Sequence, residues 1–170
     1  SQEGAAGEAV YTAISKDKGV SWTQAKPACS TCGDEQYAYS TILKSNVVSD
    51  RFYILYVRNF QNITKMPDGT PLPREDMMGG FFMRVSDDGG ETWSNETYRI
   101  HVNVTSIDKM NQWNGTVQLM WLVDKGFQRG DAAYVAFTKI GHYAVDPPTS
   151  GWLIYSPNIG SALSPTDIVW

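Results

Sequence analysis

Apolar residues along this chain recur with a period of two and nowhere sustain the 3.6-residue period of a helix, so the pattern predicts strands throughout. The clearest stretch is RFYILYVRNF, residues 51–60, where Phe52, Ile54 and Tyr56 fall on one face and Tyr53, Leu55 and Val57 on the other. Both faces are apolar, as a sheet covered on both sides requires. Further strands are predicted over 9–15, 40–48, 79–86, 98–104, 116–125, 131–140 and 150–156. In YRIHVNV (98–104), Tyr98, Ile100, Val102 and Val104 share one face and Arg99, His101 and Asn103 the other, which suits an outer edge strand. Residues 61–78 and 141–151 are polar and rich in Pro and Gly, and read as loops. Shorter breaks fall at Ser49–Asp50 and at Gly126–Gly130, with a polar link over 105–116.

Three of these strands run into related turns. Residues 86–93, SDDGGETW, set out Ser86, Asp88, Gly90, Thr92 and Trp93 as S-x-D-x-G-x-T-W. Asp88 can accept from nearby backbone amides, and Gly90 is free to take a positive φ. Residues 15–22, SKDKGVSW, repeat the spacing with Ser15, Asp17, Gly19, Ser21 and Trp22. A weaker copy begins at Ser156, where Asn158 takes the aspartate position, Gly160 is kept, and the tryptophan is displaced, with Trp170 a candidate. Ser15 and Ser86 lie 71 residues apart, and Ser86 and Ser156 lie 70 apart. A fixed period in a strand-rich chain marks a repeat architecture.

The motif and the strand before it resemble the Asp-box, or bacterial neuraminidase repeat, of the sialidase superfamily. The resemblance implies an all-β fold, a six-bladed β-propeller in which the box joins the third and fourth strands of successive blades. On that expectation the chain covers about two to three four-stranded blades: a blade end at 1–39, a blade at 40–104 and a blade at 105–170. Two or three blades leave sheet faces and edges open. The expectation is therefore an excerpt of a longer chain, starting in mid-blade, or one of several segments that complete a ring together.

Charge and composition narrow the partners. Lys and Arg number 14 against 18 Asp and Glu, a net charge of −4, so the chain lacks the basic footprint of a nucleic-acid binder. The longest apolar run, FYILYV at 52–57, is far short of the ~20 residues of a transmembrane helix. Sequons of the form N-x-[ST] occur at Asn62, Asn95, Asn103 and Asn114, which points to a secreted or cell-surface glycoprotein. The cysteines, Cys29 and Cys32, are too few for a zinc site. In an oxidising compartment they read as a local disulfide across a turn, or each pairs with a cysteine outside this stretch. No cofactor or metal is expected.

The chemistry is harder to place. Connections between strands two and three of a blade open on the face opposite the Asp-boxes, so the pocket face receives the loops near 59–79 and 139–151. Candidate substrate-binding residues there are Arg58, Asn59, Arg74, Glu75, Asp76, His142, Tyr143 and Asp146. By resemblance, a sialidase grips the sugar carboxylate with three arginines, uses a tyrosine nucleophile helped by a glutamate, and has an aspartate acid/base. Guanidinium forks match a carboxylate bidentately, and a neutral tyrosine avoids the repulsion an anionic nucleophile would meet. The family's R-I-P string before the first box is absent here, so no catalytic residue is assigned. Tyr53, Tyr134, Tyr143 and Tyr155 have sufficient explanations as strand or loop aromatics. Two functions follow as expectations: a glycan-recognising, sialidase-like exo-glycosidase acting on acidic sugars, or a non-catalytic adhesion or structural propeller in a glycoprotein assembly. A lyase or other polysaccharide-active propeller is a third. The implied partners are glycans and the remaining propeller segments or partner glycoprotein chains.

Overall fold

The computed structural model describes residues 10–28, 36–59, 79–95, 98–100, 120–139 and 150–170. They form three antiparallel sheets: the pair β1 (Tyr11–Thr12) and β2 (Lys26–Pro27); the meander β3 (Gln36–Lys44), β4 (Phe52–Asn59), β5 (Gly79–Ser86) and β6 (Tyr98–Ile100); and β7 (Met120–Arg129), β8 (Ala132–Lys139) and β9 (Ser150–Ser156). Among the described residues the only helical piece is the 3-10 turn Pro165–Asp167, capped by Ser164.

The middle sheet is covered on both faces, as its two apolar faces predict. Leu43, Tyr53, Leu55, Met83 and Val85 form one cluster with Ala133, Val135, Ile154 and Ile159 of the third sheet and its following loop. On the opposite face Ile54, Tyr56 and Phe82 pack with Ala28, Val10 and Trp93. Burial of side chains of this size stabilises by about 1.5–3 kcal/mol each, so most of the cohesion between sheets lies in these two layers.

The strands that lead into the three turns correspond position by position. Counting back from the turn serines, Thr12 and Ile14 of the first sheet correspond to Met83 and Val85 of the second and to Leu153 and Tyr155 of the third. In the first two sheets these positions lie toward the following sheet: Trp93 donates its indole N–H to Thr12 Oγ1 at 3.2 Å, and Met83 and Val85 join the cluster shared with the third. In the third they are exposed, Leu153 at 58% and Tyr155 at 45%. There Tyr155, Tyr134 and Phe127 form an aromatic ladder, with centroid separations of 5.0 and 6.5 Å.

Two strand boundaries differ from the pattern. β3 runs from Gln36 to Lys44 rather than over 40–48, because the chain beyond it is held by the third sheet. Asn46 N–H donates to the Gly160 carbonyl at 2.8 Å and Asn46 Nδ2 to the Gly130 carbonyl at 2.7 Å. β7 continues through Gly126 to Arg129, and the turn falls at Gly130–Asp131. Gly126 marks a close approach: a Cβ there would stand 2.9 Å from Leu43 Cδ2, and its N–H donates to Thr41 Oγ1. Gln128 clips the same edge, accepting from Lys44 N–H at 3.0 Å and donating to the Lys44 carbonyl at 2.7 Å.

Candidate functional site

The turn at Ser86 is built from side chains that replace missing backbone partners. Ser86 Oγ donates to Asp88 Oδ1 at 2.8 Å and accepts from Gly90 N–H at 2.8 Å. Asp88 then accepts from Thr92 N–H at 2.9 Å and from the Thr92 hydroxyl at 2.5 Å. The first turn repeats every one of these bonds: Ser15 to Asp17 at 2.8 Å, Gly19 N–H to Ser15 at 2.6 Å, Ser21 N–H and hydroxyl to Asp17 at 2.9 and 2.5 Å. Gly19 and Gly90 have φ of 92° and 93°, a left-handed backbone in which any side chain is strained. Bonds from Ser21 hold the Asp17 carboxyl down at about 2, and bonds from Thr92 do the same for Asp88. Both carboxyls are engaged as hydrogen-bond acceptors within their own turns.

The third turn keeps the logic by different means. Asn158 Oδ1 accepts from Val169 N–H at 2.9 Å, the bond that Asp88 receives from Thr92, so Trp170 stands where Trp93 does. Val169 has no hydroxyl to offer a second carboxylate oxygen. Asparagine instead turns an Nδ2–H₂ there and donates to the Asp167 carbonyl at 2.9 Å. Residues 159–168 stand where the second turn has only residues 89–91, an insertion of seven. Gly160 serves as a packing glycine: its N–H donates to the Asp131 carbonyl at 3.0 Å, and a Cβ would come within 2.8 Å of Asp131 Cα.

Charged groups stitch the turns along one rim. Lys16 beside the first turn pairs with Glu91 of the second at 2.8 Å. Arg51 bonds Asp87 of the second turn and donates to the Leu163 carbonyl of the third at 2.6 Å. Arg84, buried on the middle sheet, donates to the Ser94 carbonyl at 2.5 Å and to the Tyr56 hydroxyl at 3.2 Å. These arginines are structural.

Sequence reasoning missed the hydroxyl that follows each tryptophan. Thr23 Oγ1 accepts from Ile14 N–H at 2.9 Å and Ser94 Oγ from Val85 N–H at 3.1 Å, while the two backbone amides return bonds to the Ile14 and Val85 carbonyls. The strings SWT and TWS carried that signal. Between the first two sheets, beside the turns, lies a cleft of about 360 Å³ lined by Thr12, Gln24, Lys26, Glu91, Trp93 and Asn95 among others. It too was not foreseen, since it depends on two sheets meeting.

Of the predicted substrate-binding residues, the backbone register places Arg58 opposite Tyr37 and Gly80, and Asn59 opposite Gln36 and Gly79, at the sheet end away from Ser86. Arg74, Glu75, Asp76, His142, Tyr143 and Asp146 lie outside the described residues, as do the sequons at Asn62, Asn103 and Asn114 and both Cys29 and Cys32. Asn95 is described and exposed. Tyr53 is fully buried in the layer between the second and third sheets, where desolvation pushes its hydroxyl pKa up. Among the described residues, no group of His, Cys, Asp and Glu could hold a metal ion, and no helix is long and apolar enough to cross a membrane. Neither protein-family models nor curated proteins yield a match to this chain.

Proposed function

We propose that this chain is part of a sialidase-like β-propeller in an extracellular glycoprotein, which recognises glycans bearing acidic sugars at the rim opposite its Asp-box turns. The observation that carries this reading is the repetition of one turn at Ser15 and Ser86, with a modified copy at Ser156, linked along one rim by Lys16–Glu91 and by Arg51, which bonds both Asp87 of the second turn and the Leu163 carbonyl of the third. Face-to-face stacking in a constant direction supports a ring of such sheets. So does exposure at the two ends of the stack: Tyr11 and Trp22 at 60% and 63% on the first sheet, Phe127 at 62% on the third.

The connections from β4 to β5 and from β8 to β9 leave at the far end, where Asn59 faces Gly79 and Lys139 faces Ser150. The backbone register puts Arg58 near that end, and arginine is the residue type that suits a sugar carboxylate. A non-catalytic adhesion or structural module is the second reading. It is favoured by the commitment of Arg51 and Arg84 to structural partners, which removes two arginines from any carboxylate clamp.

Hydrolysis of a fluorogenic sialoside and binding to a sialylated glycan array, measured on the whole protein containing this chain, test both. Release above background supports the hydrolase, and binding without release supports the adhesion module. Failure of both rejects acidic-sugar recognition. Arg58→Ala should weaken glycan binding about tenfold or more, the scale of one lost charge-assisted contact.

A further inference from the structure

The cleft beside the turns has a sequon residue in its wall. Asn95, the first residue of Asn95-Glu96-Thr97, is exposed and lines the space between the first two sheets together with Trp93. At about 360 Å³ the cleft falls within the range of pockets that hold ligand-sized groups. Its walls offer an indole, the carboxamide of Gln24 and the ammonium of Lys26. Neither of the latter two side chains has a hydrogen-bond or ion-pair partner among the described residues. Apolar aromatic surface beside unengaged donors is what a pyranose with an acetamido group takes: its C–H face packs on the ring and its oxygens receive the N–H groups.

We infer that Asn95 is N-glycosylated and that the first N-acetylglucosamine of that glycan is seated in this cleft, where it bridges the first and second sheets. The transfer joins sugar C1 to Asn95 Nδ2, which gives up one proton, while the bond from C1 to the pyrophosphate of a polyprenyl-linked oligosaccharide donor breaks and the lipid pyrophosphate leaves. Asn95 itself lines the cleft, so a sugar attached at Nδ2 has only a short linker to order on seating, and little entropy is lost. The inference rests on the secretory assignment made above, and goes beyond it in giving one glycan a structural place.

The test is made on the whole protein secreted from a eukaryotic host. Glycopeptide mass mapping reads occupancy at each sequon, and the rate of release by a peptide amidase for N-glycans is compared for native and denatured protein. The expected result is occupancy at Asn95, with release from the native protein at least about tenfold slower than from the denatured. Gln24→Ala with Lys26→Ala, both exposed positions, should restore much of the native rate. Occupied sequons elsewhere with Asn95 bare would overturn this inference alone, and so would equal native and denatured rates. Sequons bare throughout would overturn the secretory assignment as well.

Discussion

Trp22 and Trp93 hold the same place in two turns whose hydrogen bonds match one for one, yet their surroundings differ. Trp93 is half-buried, packs against the cluster of Ala28, Ile54, Tyr56 and Phe82, and donates to Thr12 on the neighbouring sheet. Trp22 is 63% exposed. The turn is therefore made locally, by the serine, the aspartate and the residue six positions after the serine, whereas the value of its tryptophan depends on whether another sheet stands behind it. A local motif fixes a backbone; only a neighbour makes an apolar side chain stabilising.

Trp93→Ala in the 170-residue chain should give the largest effect, a loss of about 2 kcal/mol in urea unfolding, since a half-buried tryptophan forfeits part of the full truncation cost. Trp22→Ala should stay within about 0.5 kcal/mol, as exposed substitutions do. Equal losses at the two positions would show that the tryptophan acts within its own turn and would dissolve the contrast.

The third turn sharpens it at the next scale. Asn158→Asp replaces the donor that reaches the Asp167 carbonyl with a carboxylate oxygen, and should cost about 1 kcal/mol or more. Adding Val169→Thr supplies the hydroxyl found at Thr92 and should recover part of that loss, read as coupling in a double-mutant cycle. Additive losses would mean that asparagine is there for another reason.

The smallest effect is electrostatic. Asp17 and Asp88 titrate at about 2 in the folded turns against an ordinary 3.8, so the unfolded chain takes up protons first. The stability these carboxylates contribute is complete above about pH 5 and is lost as the pH falls through about 2. Urea midpoints measured across that window should fall less steeply in Asp17→Asn and Asp88→Asn than in the parent. Matching slopes at both positions are expected, because the bonds that depress the two groups lie within each turn. A steeper dependence for Asp88 alone would tie the effect to the neighbouring sheet.

Much of this was legible beforehand. The period-two pattern of RFYILYVRNF foretold a sheet covered on both sides, and Tyr53 to Tyr56 are buried accordingly. The spacing of Ser15, Asp17, Gly19 and Ser21 foretold a turn whose every bond is made within seven residues. What failed was where strands stop. Gly126 looked like a turn residue, but its glycine is required by Thr41 and Leu43, some 85 residues earlier. Asn46 and Val47 belonged to a plausible strand until Gly160 and Gly130 drew the chain away. The cleft at Asn95 was invisible for a related reason, since its walls come from two sheets.

The sequence by itself determined the strands, the turns and the chemistry of each turn, because those depend on alternation and on bonds between near neighbours. Tertiary structure decided which turn tryptophan is covered, which glycine is a contact rather than a bend, and where a cavity opens. Those outcomes are set by distances between residues far apart in the chain, and no local pattern encodes a distance that exists only after the sheets have stacked.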